Sequence, residues 1–569
     1  MHRTGVPMRA RRLAHCLSVI MIMLPSPSRF VLGLMLIAGM AVWHAPKGAA
    51  QPAASTYATI LEGGTVHDGT GAPPRVTDVG IVGDSIAAIG DLSEADAAER
   101  IDVSGLVVAP GFIDIHSHAT SSSWRQSDIR QRPLAESYLR QGVTTAMGGQ
   151  DGSSPLPIGP YLQQLDEAGA AINIGLFVGH GTVRATVMGA VDRAPSDTEL
   201  ERMQALVRQA MTDGAFGLSS GLEYTPGTYA DTDELIALAR VTAPYDGLYI
   251  SHIRDEGGRL IESVEEVVRV AAKAGVAGQV THHKVVGPDR WGNSTASLQR
   301  IEAAQARGVD VASDVYPYAA SSTGLTILFP AWSREEGSAA LNKRLSDPDT
   351  RARIGNAIAR HIDVERGGDP STIVLSRCAW NASLDGNSLA DVLDERGQPV
   401  TTRTAAEVAM DLQARGGCRV VLHSMAEEDV RRILQHPTTM VASDGGIPAP
   451  GVGAPHPRSY GTFARVLGHY AREEQVLPLR TAIHKMTGFP AQRLGLVKRG
   501  TLREGAIADM AVFDAGTITD RATFSDAHQF AVGVTHVFVA GRAVLRDGAV
   551  TGAQPGRVLR NRLLETGVR

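Results

Sequence analysis

At 569 residues, with 43% hydrophobic residues and 61 glycines, the chain is long enough for more than one domain and has the composition of a large α/β protein. A formal net charge of −5 leaves no basic excess for a nucleic-acid surface. Three cysteines are too few for a disulfide framework; Cys378 and Cys418 could pair, but nothing in the sequence demands it.

The first 50 residues read as an export signal. Arg3, Arg9, Arg11, Arg12 and Arg29 precede the apolar run from Phe30 to Val42, and Gly48-Ala49-Ala50 supplies small residues for cleavage before Gln51. The apolar run is short for a membrane span, so the expected product is a periplasmic chain with no stable span; an uncleaved anchor is the alternative.

Residues 51–107 read as short strands broken by turns such as Glu62-Gly63-Gly64 and Asp68-Gly69-Thr70-Gly71. Residues 497–569 have the same texture, with Gly505–Asp514 and Val534–Gly541 reading as strands and turns. One small β-sandwich built from both termini is expected.

Between them, from 108 to 496, strands alternate with helices, the pattern of a parallel sheet. Strands are expected at Phe112–His116, Val143–Met147, Ala171–Val178, Ala215–Ser219, Leu248–His252, Gly278–His282, Val309–Asp314 and Thr439–Asp444. Eight such units suit a (β/α)8 barrel, which carries its chemistry at the C-terminal strand ends. A ninth candidate, Arg419–His423, is placed in an insertion running from about Trp332 to about His423.

Reactive side chains gather at those strand ends. His116 and His118 close the first strand, at a spacing that puts both imidazoles on one side of extended backbone. Asp151 follows the second strand, His252 ends the fifth, His282 and His283 end the sixth, and Asp444 ends the eighth. Neutral imidazoles hold a divalent cation without cancelling its charge, so it remains a Lewis acid. A carboxylate beside an activated water can take its proton and pass it to a leaving nitrogen, the role expected of Asp444.

These motifs resemble the N-acyl-D-amino-acid deacylase group of metal-dependent amidohydrolases. The similar stretches are Pro110–His118, Gly217–Tyr224, Ser251–Glu256, Thr281–Gly287, Asp314–Tyr318, Ser443–Gly445, His456–Phe463 and Lys485–Ala491. The resemblance implies hydrolysis of linear N-acyl-D-amino acids, a small-molecule substrate, and zinc. It implies one tight site at His252 and His282, to which Asp151 is expected to add a third ligand, and a second, weaker site at His116, His118 and Asp444. His282 is chosen over His283 because it places Lys284 where the family has a substrate-binding lysine. Lys284, Tyr316 and Arg458 would clamp the substrate carboxylate, and Arg254 would pair with Glu256 behind the ligands. Glu223 and Tyr224 would line the mouth, with Tyr318 and His180 as weaker candidates.

One departure stands out: Asp151 occupies the place where family members carry a zinc-binding cysteine. No lysine lies between Lys47 and Lys273, so the bridging lysine of related amidohydrolases has no counterpart. A D-amino-acid-containing dipeptidase, another amide hydrolase of the superfamily, and a non-catalytic periplasmic binding protein are the competing readings.

Overall fold

The computed structural model describes residues 56–120 and 128–561; the expected leader lies outside them. Eight parallel strands form the centre: β1 (Phe112–Asp114), β2 (Val143–Gly148), β3 (Asn173–Leu176, resuming as Val178–Gly179), β4 (Gly217–Gly221), β5 (Leu248–His252), β6 (Ala277–Val280), β7 (Val311–Val315) and β8 (Thr439–Val441). β1–β2–β3 pair in one ladder and the remainder pair in sequence to β8. The ring closes past the last ladder, where the Asp444 N–H donates to the His116 carbonyl at 2.8 Å and the His118 N–H donates to the Gly445 carbonyl at 2.6 Å.

Strand periodicity decides what reaches the barrel mouth. Leu248 and Ile250 fill the interior together with Met440, Ala442, Ile113 and Phe216. Two residues beyond Ile250 comes His252, and two beyond Ala442 comes Asp444, so the inward series ends on a polar side chain at the C-terminal rim. Tyr249, Leu218 and Val280 face outward into the helix layer. The helix Leu260–Ala274 shows why that layer forms: Leu260, Val264, Val267, Ala271 and Ala274 recur on one buried stripe. Gly275, at φ 72°, ends it in the left-handed conformation that glycine adopts without a Cβ clash.

Segments from the two ends of the described chain, within 59–110 and 510–550, meet in one nine-stranded sheet. Met510–Phe513 runs antiparallel to Val107–Pro110, joining the C-terminal strands to Thr59–Val66 and its neighbours. Alternation again sorts the faces. Val108, Met510 and Val512 enter the sheet's own core, whereas Val107, Ala109, Ala511 and Phe513 pack toward the barrel.

Arg419–His423 pairs antiparallel with Ala320–Gly324 and Ile373–Arg377, forming a separate three-stranded sheet with its own core. Its first strand, Ala320–Gly324, precedes Trp332, so the inserted unit starts earlier than the sequence reading put it. The short polar run Ser321-Ser322-Thr323 gave little strand signal. Cys378 and Cys418 form a disulfide in this unit. No described helix is long and apolar enough to cross a membrane.

Candidate metal centre and its surroundings

Two groups of donors meet at the barrel mouth and share one carboxylate. His116, His118, Asp151 and Asp444 form the first; Asp151, His252 and His282 form the second. Asp151 Oδ1 lies 3.3 Å from His116 Nε2 and 3.3 Å from His282 Nε2, and Oδ2 lies 3.4 Å from His118 Nε2. His252 Nδ1 and His282 Nε2 are 2.9 Å apart, aimed at the same small volume. Asp444 Oδ1 sits 2.9 Å from His118 Nε2 and 3.7 Å from His116 Nε2.

Local backbone aims these groups. Asp151, His282 and Asp444 have φ of 53°, 34° and 48°, in the left-handed region that non-glycine residues rarely occupy. Each follows the end of a barrel strand, and the turn swings its side chain over the rim. Such conformations cost about 1–3 kcal/mol each and persist where the surroundings over-determine them. Here Asp314 does part of that work by accepting the His282 N–H at 2.7 Å, and Gln279 holds Asp314 at 2.5 Å.

The electrostatics favour a cation. Burial pushes the Asp151 carboxyl up, but His116, His282 and His118 outweigh it and hold it well below the usual carboxylate range. Asp444 behaves alike: burial raises it, while Arg458, His118, His282 and His116 lower it further. Burial lowers His118, yet Asp151 and Asp444 outweigh that and raise it to about 9. A field that favours imidazolium equally favours a divalent cation among neutral imidazoles. His116 Nε2 and Asp151 Oδ1 are buried with no hydrogen-bond partner among the described residues, which is costly unless an ion satisfies them. The donor set therefore fits a metal.

A family model described as "Amidohydrolase family" matches residues 99–545. The chain belongs to this amidohydrolase family. The D-aminoacylase of Alcaligenes xylosoxydans xylosoxydans is 39% identical over 523 residues, covering 88% of this chain and 97% of its own. The N-acyl-D-glutamate deacylase of the same organism is 38% identical over 525 residues, covering 88% and 96%. Among solved structures, a D-aminoacylase described as defining a novel subset of amidohydrolases superposes with a TM-score of 0.75 at 37% identity, covering 89% of this chain and 100% of that one. The N-acyl-D-glutamate deacylase from Bordetella bronchiseptica, solved with zinc and a phosphonate mimic of the tetrahedral intermediate, gives 0.75 at 34% identity with the same coverage.

Around the centre of this amidohydrolase the partners differ in places from expectation. Arg254 does not pair with Glu256; it binds Glu266 of the helix Leu260–Ala274 at 2.9 Å. Glu256 instead takes Lys284 Nζ at 2.5 Å and lies 3.1 Å from His282 Nδ1. Glu223 sits 3.0 Å from His252 Nε2. His252 thus carries a carboxylate on its other nitrogen, while His282 Nδ1 meets Glu256 and also Lys284 Nζ at 2.7 Å; such partners fix ring orientation at metal sites. His283 turns away to Ser297, and burial pushes it down to about 3. His180 is held by Glu234, and Tyr318 packs on His456, both outside the donor set.

A cavity of about 490 Å³ opens above the donors, lined among others by Lys284, Glu223, Tyr224 and Arg419. Arg458 and Tyr316 are buried and are not among its lining residues. Arg458 Nη1 meets Asp444 Oδ2 at 2.8 Å, and its Cζ stacks 4.9 Å from the Tyr316 ring centroid. Arg419 was not among the candidate residues; it starts the strand Arg419–His423, read as part of an insertion. That the inserted sheet folds over the mouth has no local sequence signal.

Proposed function

We propose that this amidohydrolase cleaves the amide bond of N-acyl-D-amino acids, releasing a D-amino acid and a carboxylic acid. The observation that carries the reading is the Asp151 carboxylate, shared by His116 and His118 on one side and His282 on the other. We assign one tightly held zinc to His252, His282 and Asp151, and a second, weaker divalent ion to His116, His118, Asp151 and Asp444. In support, a D-aminoacylase of 37% identity has a binuclear centre described by one-metal activation and second-metal attenuation. Oxygen donated by Asp151 in place of thiolate makes the site harder and its metal preference broader.

A divalent cation held there supplies Lewis acidity, which makes water a nucleophile near neutral pH. Asp444 accepts a proton from the attacking water and delivers it to the leaving nitrogen. Arg458 keeps Asp444 ionised and aimed. Lys284 and Arg419 on the cavity wall, with Arg458 and the Tyr316 ring that Lys284 and Arg458 both meet, form the side that receives the substrate carboxylate. Glu223 and Glu256 orient His252 and His282. With carboxylate and carbonyl both fixed, the remaining wall decides the hand of the amino acid.

Export to the periplasm is part of the same proposal. It is supported by the Cys378–Cys418 disulfide, a bond that persists in oxidising compartments.

Paired D and L N-acyl amino acids, assayed for amine release with metal content measured alongside, test the activity. Turnover of the D series is expected. Exclusive turnover of L substrates overturns the stereochemistry, and no amine release from a fully metallated enzyme overturns the activity.

A further inference from the structure

Part of the insertion also lines the cavity that holds the donor set. It consists of the last turn of the helix Pro348–Glu365, with His361 and Glu365, and Arg366 at its C-terminal end. Arg334, from the turn Ala331–Arg334, lies behind. Arg366 is 5% exposed and Arg334 9% exposed, so both guanidinium groups are largely withdrawn from solvent.

Their counter-charges are missing. Arg366 donates through Nη1 to the Glu365 carbonyl at 3.2 Å, and Arg334 donates through Nη2 to the Glu223 carbonyl at 3.3 Å. Neither has a carboxylate within ion-pair distance among the described residues. Arg366 Nε, Arg334 Nε and His361 Nε2 are all buried without a hydrogen-bond partner there. The nearby acids are already engaged: Glu365 binds Arg290 at 3.2 Å and Glu223 faces His252 at 3.0 Å. Burial pushes both arginines down, and His361 is driven to about 3 by burial and by the charges of Arg366 and Arg334. A buried cation without its anion is costly, and an incoming carboxylate removes that cost while accepting the unused donors.

We propose that Arg366, with His361 and Arg334 beside it, is a subsite for a second carboxylate of the substrate. Preferred substrates then carry an acid beyond the α-carboxylate, on the amino-acid side chain or on the acyl group. The inference rests on the deacylase reading and adds the substrate class to it.

Two substrate pairs distinguish the sources. N-acetyl-D-glutamate against N-acetyl-D-glutamine places the extra charge on the side chain. N-succinyl-D-valine against N-succinamoyl-D-valine places it on the acyl group. The wild-type enzyme is expected to favour the acid in one pair by roughly ten- to a hundredfold in kcat/KM, the span of one charged hydrogen bond. Arg366→Met should collapse that ratio toward one, and Arg366→Lys should restore part of it. Ratios near one for both pairs in the wild type, or a ratio that survives Arg366→Met, overturn the subsite. Should no D substrate react at all, the activity reading fails by itself. Calorimetry on the holoenzyme then decides the subsite: glutarate should bind more tightly than its monoamide, and this margin should vanish in Arg366→Met. Should Arg366→Met not fold, His361→Ala takes its place and should reduce the same ratios; unchanged ratios overturn the subsite.

Discussion

Arg458 Nη1 lies 2.8 Å from Asp444 Oδ2; both residues are buried, and Asp444 lines the cavity. The arginine therefore serves the proton shuttle as well as the substrate side of the site. Asp444 has two jobs to divide: Oδ1 faces His118 and Oδ2 faces the guanidinium. Removing the cation leaves a buried carboxylate with weaker compensation, which raises its pKa and frees its rotamer.

Asp444→Asn keeps the shape and loses the proton acceptor. kcat should fall by ~10²–10⁴, the usual worth of a general acid–base group. Metal content must stay normal for the result to speak to proton transfer. Arg458→Ala should lower kcat and raise KM together, since it removes a carboxylate contact and loosens Asp444. An effect on KM alone would separate Arg458 from the shuttle.

Asp151 is the shared ligand, so its loss should be felt in both donor groups. Elemental analysis after dialysis is expected to find less metal in Asp151→Ala than in His252→Ala or His116→Ala, each of which leaves one group intact. Equal metal content in Asp151→Ala and wild type would remove the bridge. Chelation of the wild-type enzyme should abolish turnover, and added zinc should restore it.

The Cys378–Cys418 bond spans 40 residues and staples neighbouring strands of the insertion at their Arg377–Arg419 end. Closing a loop of that length stabilises a domain by about 2–4 kcal/mol in the chain-entropy account. Reductant, or the double change Cys378→Ala with Cys418→Ala, should lower the melting temperature of the insertion. Arg419 follows Cys418 directly, so KM should rise with the same treatment. Free thiols titrated in the unreduced, denatured protein would contradict the bond.

The barrel was legible because its inward series repeat every second residue and end on histidine or aspartate: Leu248, Ile250, His252 and Met440, Ala442, Asp444. Strand ends brought forward the histidines, Asp151 and Asp444, and the resemblance to the deacylase group chose His282 over His283 and divided the donors between two sites. Pairings across the mouth were not legible. Glu256 lies two residues from Arg254, and a local reading joins them, but the strand end sends one side chain to Glu266 and the other to Lys284. Nor did any period mark Arg366 or Arg419 as cavity residues, because the insertion's position over the barrel is fixed by packing between distant segments. The early start of that insertion at Ala320 was hidden in a run of serine and threonine with no apolar alternation.

Glu256 offers the sharpest test of how the ligands are held. Its Oε1 lies 3.1 Å from His282 Nδ1 and 2.5 Å from Lys284 Nζ, so one carboxylate oxygen serves a metal-site histidine and a cation that lines the cavity. Lys284 Nζ itself lies 2.7 Å from His282 Nδ1, so Glu256 and Lys284 together meet the nitrogen opposite Nε2, which faces Asp151 and the metal position. Glu256→Gln preserves volume but weakens that contact and leaves Lys284 without its counter-charge. Losing such a partner typically costs ten- to a hundredfold in metal affinity or activity. Metal-binding isotherms of the stripped protein should show this loss for the tighter site, with the weaker site less affected. KM should rise as well, because Lys284 is no longer held in place. Glu223→Gln, acting on His252 alone, should weaken the tight site while leaving Lys284 bound to Glu256. If Glu256→Gln binds metal as tightly as the wild type and alters only KM, then Glu256 positions the lysine and has no part in orienting His282.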